Sequence, residues 1–467
     1  MTTQSKEARE HNTKNNRKNE TQTSEEEGED EGKTTKRLYM LRGLHLIHAI
    51  GSMLVMNAST ETLMKSLSGL DFTNFMVNNM SIMLILRMLT SPIFASFSDV
   101  YGRLKTLNVS LGMYMLTDLL QVISPTVGVF QLVNRYGGPL TMGPYMQLTS
   151  VMVADMFPHD AKRVSIEQGK FGISFMTASL IVPKLNQFLL SIGNRVPFFL
   201  ALVIRVVETI VFNGYFKETL GDDQRKSFND INLNDFNPLK FYQLFTKGTK
   251  LRVLACVQSL TSLIRTQSFG RIADVIRVDQ YQNNWSIAER STYQTFLPIC
   301  HLPAILLSGS LYKKYGARKT FYTGKTLDII RYYLTQFFYL PLHEFIALPF
   351  STVCMPGDTA IGALLRKEAM KQGISKSEFS QMSGNLFQIN MLLSGYLLNS
   401  LYANAVARGK PRSLYGSIIV FPVLQMILFY IFNIASVEDE DEHGGSEEIK
   451  GRRKGKEEYS TSSKKNQ

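Results

Sequence analysis

Ionisable side chains interrupt several long apolar stretches of this sequence, and they are the residues best suited to chemistry. His45 and His48 are three residues apart, Arg135 and Arg265 have no acid close by in their own stretches, and Asp358 follows Met-Pro-Gly. A charge inside a membrane costs several kcal/mol unless it is paired or faces water. Each arginine therefore needs an anionic partner. The histidines are candidates for a proton or ligand site or, alternatively, polar residues at the membrane rim.

Asp358 is the first candidate for a titrating residue, because Pro-Gly before it is expected to break a helix and expose backbone carbonyls. Other charges have partners within reach. Residues three apart lie on one face of a helix, and residues on neighbouring stretches can meet across a hairpin. Three pairs are predicted to neutralise each other in a structural role: Arg205 with Glu208, Asp328 with Arg331, and Arg87 with Asp118.

The stretches that carry these residues are long enough to cross a membrane. A helix rising about 1.5 Å per residue needs roughly twenty apolar residues to cross the hydrocarbon layer. Residues 413–435 have no charge at all. A large soluble helical protein is the alternative, but uncharged stretches of this length recur too often for it. We predict twelve spans, at 43–60, 76–97, 107–129, 127–156, 171–192, 196–216, 251–275, 296–311, 321–342, 345–365, 379–403 and 413–435.

The connections between the stretches alternate in charge. If both tails lie on one side, the connections on that side hold most of the Lys and Arg, including Arg103, Lys105, Arg318 and Lys319. Connections rich in Lys and Arg stay on the cytoplasmic side of a membrane. Both termini are therefore predicted to be cytoplasmic, in a multi-pass protein whose membrane the sequence does not identify.

Composition separates polar tails from an apolar core. The 467 residues carry 51 Lys and Arg against 39 Asp and Glu, but residues 1–36 and 437–467 hold more acidic than basic residues. Both tails are too polar to bury a core and are predicted to be disordered. The core is predicted to consist of residues 37–216, a cytoplasmic loop at 217–250, and residues 251–436. The three cysteines are far apart, which argues against a disulfide framework or a zinc cluster.

An internal repeat relates two of the connections. The connection after the second span reads ASFSDVYGRLKT from Ala95, and the one after the eighth reads GSLYKKYGARKT from Gly309. Gly102 and Gly316 coincide in this register, and a glycine there permits a positive φ in a tight turn. Basic residues beside each glycine would hold the turn at the lipid headgroups. A repeat at half the core length indicates two six-helix halves, the usual plan of secondary transporters.

The first of these connections resembles the signature loop of the major facilitator superfamily, roughly G-x-L-x-D-R-x-G-R-K. Asp99, Gly102 and Arg103 match that loop, and the second connection offers Gly309, Gly316 and Arg318 as its counterparts. Three more fragments are similar to elements of the family: Arg135 with the following two glycines, VAD at 153–155, and FKETL at 216–220. The order VADMFPHDAKR at 153–163, FKETL at 216–220 and NPL at 237–239 is most similar to the tetracycline-efflux and hippocampus-abundant-transcript-like branch. The resemblance covers about residues 38–436.

The resemblance implies an all-α membrane protein with twelve transmembrane helices in two pseudo-symmetric six-helix halves. Spans one, four, seven and ten would line the central path and carry the candidate substrate or coupling residues: His45, His48, Arg135, Arg265 and Asp358. The resemblance further implies that Asp99 faces the N-terminus of span eleven and holds the cytoplasmic side closed in the outward-facing state. Lys313 stands where the second loop would have an acid, so the two halves are expected to switch differently.

The sequence thus predicts a secondary active or facilitative transporter working by alternating access. The excess of arginine favours a small anionic or zwitterionic solute, with Asp358 or a histidine as the candidate for proton coupling. ATPase and hydrolase motifs are absent, so we expect no enzyme, catalytic residue, metal or cofactor. The expected partners are a solute and membrane lipid, and no nucleic acid. The alternatives are a transport-inactive receptor or scaffold, and an exporter of lipophilic drugs, which would need acids and aromatic residues in its cavity.

Overall fold

The computed structural model describes residues 4–434, except for 68, 158–160, 222–224, 226, 229–236, 266, 279–284, 338–340 and 375. Within the first helix, side chains are described from Thr34 onward. The predicted tail at 437–467, the side chains of most of the tail at 1–36 and part of the loop at 217–250 therefore lie outside the described residues.

The first half of the described chain is helical. Its elements are α1 (Gln4–Ser66), α2 (Gly69–Tyr101), α3 (Arg103–Ile123), α4 (Val127–Leu132), α5 (Gly138–Leu140), α6 (Met142–Met156), α7 (Ala161–Ile192) and α8 (Val196–Tyr215). A π-helix, Val133–Gly137, joins α4 to α5. The fourth predicted span is therefore not one continuous α-helix. It is divided at the π-helix and again at Thr141, whose φ of −109° and ψ of −90° are not helical.

The second half is also helical. After a 3₁₀-helix, Pro238–Tyr242, it contains α9 (Gln243–Thr246), α10 (Thr249–Ile264), α11 (Gln267–Val278), α12 (Ile287–Phe337), α13 (Pro341–Lys371), α14 (Lys376–Ala407), α15 (Ser413–Ile418) and α16 (Val420–Ile431). Ser286 and Glu289 cap the start of α12, each side chain accepting from the other's backbone N–H. These bonds lower the pKa of Glu289. Helix α12 changes direction at Gly316, so it holds two of the predicted spans.

Most of the described residues in the predicted spans are helical, with exceptions that include residues 124–126, 265 and 432–434. Residues 266, 338–340 and 435 lie outside the described residues. In the described part of the chain, five helical segments are long and apolar enough to cross a membrane by length and composition: Thr34–Ser66, Gly69–Tyr101, Lys170–Ile192, Val196–Tyr215 and Ser413–Ile431. The other predicted spans are not among these five segments. The count of twelve is consistent with this fold and stays a prediction.

Helix α8 shows the burial pattern of a protein surrounded by lipid. Phe199, Val203 and Ile210 are among its exposed side chains, with 57%, 41% and 62% of their surface accessible. Arg205 and Glu208 on the same helix are completely buried. Water would favour the opposite arrangement, whereas hydrocarbon favours apolar side chains outside and paired charges inside.

The halves pack against each other away from the two glycine turns. We call the end of the bundle that carries Gly102 and Gly316 the turn end, and the other the opposite end. Near the opposite end, one buried cluster joins Phe72 of α2 to Ile272 of α11 and Tyr402 of α14. Nearer the turns, the large buried clusters each belong to a single half. The described apolar contact between halves therefore lies at the opposite end and near mid-depth.

Candidate functional site

The two glycine turns have related backbone conformations. Gly102 has a φ of 100° and Gly316 a φ of 73°. Their ψ angles are 155° and 166°. Residues with a side chain rarely adopt this region, so both positions require glycine. The positive φ expected from the repeat is confirmed in both turns.

The side chain of Arg103 joins two of the sequence fragments at the first turn. Its Nη1 lies 2.5 Å from Asp99 Oδ1 at the end of α2 and donates to Ser98 Oγ at 2.6 Å. Its Nε donates to Asp155 Oδ2, in the VAD fragment, at 3.0 Å. Helix α14 begins next to residue 375, which is not described, so the contact of Asp99 with the start of span eleven stays a prediction.

Glu218, from the FKETL fragment, caps the N-terminus of α3. Its carboxylate accepts hydrogen bonds from the backbone N–H groups of Arg103 at 3.0 Å and Leu104 at 3.1 Å. A negative charge is stabilising at the positive end of a helix. A Cβ on Gly102 would lie 2.5 Å from Glu218 Oε2, so the glycine also makes room for this cap. The role of Glu218 was not predicted from the sequence, although its fragment was.

At the second turn, the described side chains form no corresponding ion pairs. In the register of the repeat, Ala317 occupies the position of Arg103, and it is completely buried. Arg318, the predicted counterpart, is exposed, and Gly309 lies within α12. The side chain of Lys313 is outside the described residues. The backbone repeat therefore extends to both halves, whereas the Arg-centred network is described only in the first.

A buried charge cluster occupies the interior of the first half. Arg205 Nη1 lies 3.1 Å from Glu208 Oε2 and 2.7 Å from His48 Nδ1. His48 Nδ1 is also 3.0 Å from Glu208 Oε1. Arg205 reaches Ser52 Oγ at 2.6 Å and has Asp118 at 3.7 Å. The predicted pairing of Arg205 with Glu208 is thus confirmed, but it belongs to a network that includes α1 and α3.

The predicted pairing of Arg87 with Asp118 is wrong. Asp118 turns toward Arg205, because α8 packs beside α3 and brings the guanidinium to it. Arg87 instead lies against span four, where a Cβ on Gly143 would be 2.6 Å from its Nε. Burial of Asp118 beside an arginine from α8 could not be read from neighbouring positions in the sequence.

Both candidate histidines are enclosed by aromatic rings. His48 stacks on Tyr145 with ring centroids 3.3 Å apart, and His45 stacks on Phe171 at 4.4 Å. Both histidines are completely buried. They therefore lie inside the first half, neither at the membrane rim nor in an open path.

A second charge cluster, in the other half, collects two of the predicted site residues. Arg265 Nε lies 2.8 Å from Asp358 Oδ2, and its Nη2 lies 2.9 Å from Asp328 Oδ2. Lys325 Nζ donates to Asp358 Oδ1 at 2.6 Å. Arg331 is 3.5 Å from Asp328, as its spacing predicted. Three cations share two carboxylates here, and the anionic partners that Arg265 needs come from α12 and α13.

The prediction that Pro-Gly breaks the helix before Asp358 is wrong. Helix α13 continues through these residues. A Cβ on Gly357 would be 3.2 Å from the Thr320 carbonyl oxygen, and one on Gly324 would be 3.2 Å from the Cys354 carbonyl oxygen. The two glycines therefore let α12 and α13 approach closely, which explains a glycine at this site without any exposed carbonyl.

Arg135 lies on the π-helix of span four. Its Nε donates to Asn79 Oδ1 of α2 at 2.5 Å, and Gln131, in the amide orientation that satisfies both groups, accepts from it at 2.7 Å. Among the residues described, Arg135 and Arg87 have no carboxylate at ion-pair distance. Both are half-buried. A π-helix often marks a functional position in a helix.

A third charge cluster lies at the opposite end. Arg277 donates to Glu344 at 2.7 Å and to Asp274 at 2.7 Å, and Arg412 is 3.6 Å from Glu344. The guanidinium of Arg277 lies 5.7 Å from the centre of the buried Trp285 ring. The sequence offered only a weak signal for this cluster, the charges that interrupt the seventh span. In the described part of the chain, no group of three His, Cys, Asp or Glu side chains could hold a metal ion.

Three comparisons with known proteins agree with this architecture. The sequence profile of the Major Facilitator Superfamily matches residues 43–330. Multidrug resistance protein 2 of Bacillus subtilis (strain 168) is 26% identical over 141 residues, which are 30% of this chain and 34% of that relative. The match therefore covers about a third of the relative's length.

Solved transporter structures share the fold at low sequence identity. The human organic anion transporter MFSD10 superposes with a TM-score of 0.63 and 14% identity, covering 84% of this chain and 99% of that one. The nucleoside transporter NupG gives a TM-score of 0.64 and 13% identity over 85% and 99% of the two chains. A peptide transporter in complex with sulfate gives 0.65 and 14% over 86% and 95%. With a profile match over more than half of its length, this chain belongs to the major facilitator superfamily.

Proposed function

We propose that this protein is a secondary active or facilitative transporter of a small anionic or zwitterionic solute, working by alternating access. The observation that carries the proposal is an excess of cations at the partly accessible centre of both halves. Arg135 and Arg87 have no carboxylate at ion-pair distance among the described residues, and the Arg265 cluster has three cations for two carboxylates. An anionic group of a solute would complete this set of charges.

Accessibility within the Arg265 cluster separates a binding side from a structural side. Asp328 and Lys325 are completely buried, whereas the side chains of Arg265 and Asp358 are 22% and 17% accessible. We propose that these accessible groups face the path between the halves. An anion arriving there would compete with Asp358 for Arg265, and the displaced Asp358 would then be the group that takes up a proton.

The packing between the halves supports an assignment of the conformation. If the basic turns lie in the cytoplasm, as the charge bias predicts, the apolar contact at the opposite end lies outside. The exterior is then closed, and the molecule is in an inward-facing state.

The test is a ligand screen followed by flux. Purified protein in nanodiscs would be heated with dicarboxylates, phosphate esters, amino acids, nucleosides and lipophilic cations, and the best stabiliser would be assayed for flux in proteoliposomes. We expect anions or zwitterions to stabilise the protein and to be transported, and Arg135→Ala to abolish flux while Arg135→Lys retains part of it. Stabilisation by neutral or cationic compounds alone, or flux unaffected by Arg135→Ala, would refute the anion proposal.

The match to a multidrug resistance protein supports a second candidate, export of lipophilic compounds. That function would appear in the same screen as stabilisation by lipophilic cations. A transport-inactive receptor or scaffold would show no flux of any compound that stabilises it.

A further inference from the structure

A cavity of about 310 Å³ lies between the halves near the opposite end, apart from the Arg265 cluster. Asn57, Glu61 and Asn186 line it from the first half, and Arg271, Arg290 and Ser291 line it from the second. Its volume is at the low end of the range for small-molecule sites, about 300–1,000 Å³. Any occupant would contact both halves at once.

The charges around this cavity leave one cation without a carboxylate. Arg290 pairs with Glu61 across the halves, and Asp274 pairs with Arg277. The guanidinium of Arg271 lies 3.3 Å from the sulfur of Met76. Asp274, on the same cavity wall, is near enough to act on its charge, but no carboxylate stands at ion-pair distance from it among the residues described. The neighbouring acids are thus already engaged, whereas a half-buried guanidinium in a membrane protein needs a counter-charge.

Two further polar groups on the cavity wall lack partners. Asn186 is 4% exposed and Ser291 is 5% exposed. Among the described residues, none donates to Asn186 Oδ1 and none is hydrogen-bonded to Ser291 Oγ. Buried polar atoms are normally hydrogen-bonded, so each such group requires an explanation. One is contributed by α7 and the other by α12, on opposite sides of the contact between the halves.

We infer that this cavity binds a small carboxylate. The planar guanidinium of Arg271 suits two parallel hydrogen bonds to a carboxylate, and the Ser291 hydroxyl and the Asn186 amide can bond the rest of the ligand. Since the cavity is formed only when α7 meets α11 and α12, the carboxylate stabilises the state in which the opposite end is closed. The inference is independent of the solute bound at the Arg265 cluster.

The test measures thermal unfolding of the full chain in nanodiscs at constant total salt, with chloride replaced by acetate, lactate or benzoate. We expect at least one carboxylate to raise Tm by about 2 °C relative to chloride. Arg271→Gln should lose the shift and Arg271→Lys should retain part of it. Asn186→Ala probes the other wall and should weaken the shift. Arg195→Gln, which removes an exposed charge outside the cavity, should leave it unchanged.

Controls separate this site from the proposed transport site. The carboxylate shift must survive Arg135→Ala, because Arg135 does not line the cavity. Spin labels at exposed Lys105 and Lys319, in a chain without its native cysteines, should show a larger population with widely separated turns when the carboxylate is present. The inference would be overturned if no carboxylate raised Tm relative to chloride, or if Arg271→Gln kept the full rise in Tm.

Discussion

The ammonium of Lys325 lies 2.6 Å from the carboxylate of Asp358 because each residue directly follows a glycine at which α12 and α13 touch. Lys325 is completely buried, so its charge depends on this contact. Asp358 also bonds Arg265 at 2.8 Å. The pair is therefore asymmetric: within ion-pair distance among the described residues, the acid has two cations, whereas the lysine has one carboxylate.

This asymmetry predicts unequal effects of removing either partner. Asp358→Asn leaves the Lys325 charge buried without its carboxylate, at a cost of about 3–5 kcal/mol of unfolding free energy. Lys325→Met leaves Asp358 bonded to Arg265 and should cost about 1 kcal/mol. Denaturant unfolding in detergent micelles measures both, and the double variant should be more stable than Asp358→Asn alone. Equal losses in the two single variants would contradict this account.

Helix contact at Gly357 predicts a local steric effect. Gly357→Ala places a methyl group 3.2 Å from the carbonyl oxygen of Thr320, a backbone atom that cannot move without shifting α12. We expect a loss of about 1–3 kcal/mol. Gly362→Ala is the matched control on the same helix, because a Cβ there meets nothing within 4 Å. Thermal unfolding that ranks the two variants equally would exclude close packing as the role of Gly357.

Substitution of Gly102 in the first turn is also expected to destabilise the protein, but through backbone strain rather than helix packing. Gly102→Ala requires a side chain at φ of 100° and displaces the carboxylate of Glu218 from the start of α3. The backbone strain alone should cost about 1–3 kcal/mol. Gly112→Ala, within α3 and facing open space, should be neutral or slightly stabilising. A wild-type Tm for Gly102→Ala would show that the turn relaxes.

Asp99 predicts a change in conformational populations rather than in stability. Asp99→Asn keeps the turn folded, since Arg103 retains Asp155, but removes the charge proposed to hold the turn end closed in the outward-facing state. We expect more molecules with separated turns, measured as the distance between labels at Lys105 and Lys319. Asp99→Glu keeps the charge and should behave more like the wild type. Unchanged distance distributions in Asp99→Asn would reject the role.

Local patterns were sufficient to predict much of the fold. Apolar length predicted the helical stretches, and matching glycines predicted two turns with positive φ, because both properties depend on residues close together in the chain. The pair Arg205 and Glu208 was predictable for the same reason. The partners of His48 and Arg265 were not, since they come from helices far along the chain and depend on how the helices pack.

Gly357 shows a second reason why a structural role could not be predicted from the sequence. The local sequence Pro-Gly is the same whether the glycine breaks its helix or lets another helix approach. Only the neighbouring backbone at Thr320 distinguishes the two roles. The sequence thus located an important residue near Asp358 and assigned it the wrong physical role.

The only tryptophan of this chain, Trp285, is buried beside Arg277 at the opposite end. Intrinsic fluorescence excited at the indole band therefore originates from a single position, packed against Tyr293 and Phe345 of the second half. Any rearrangement that admits water to this ring would shift its emission to longer wavelength. The unmodified protein thus carries an optical probe of one end of the bundle and none at the other.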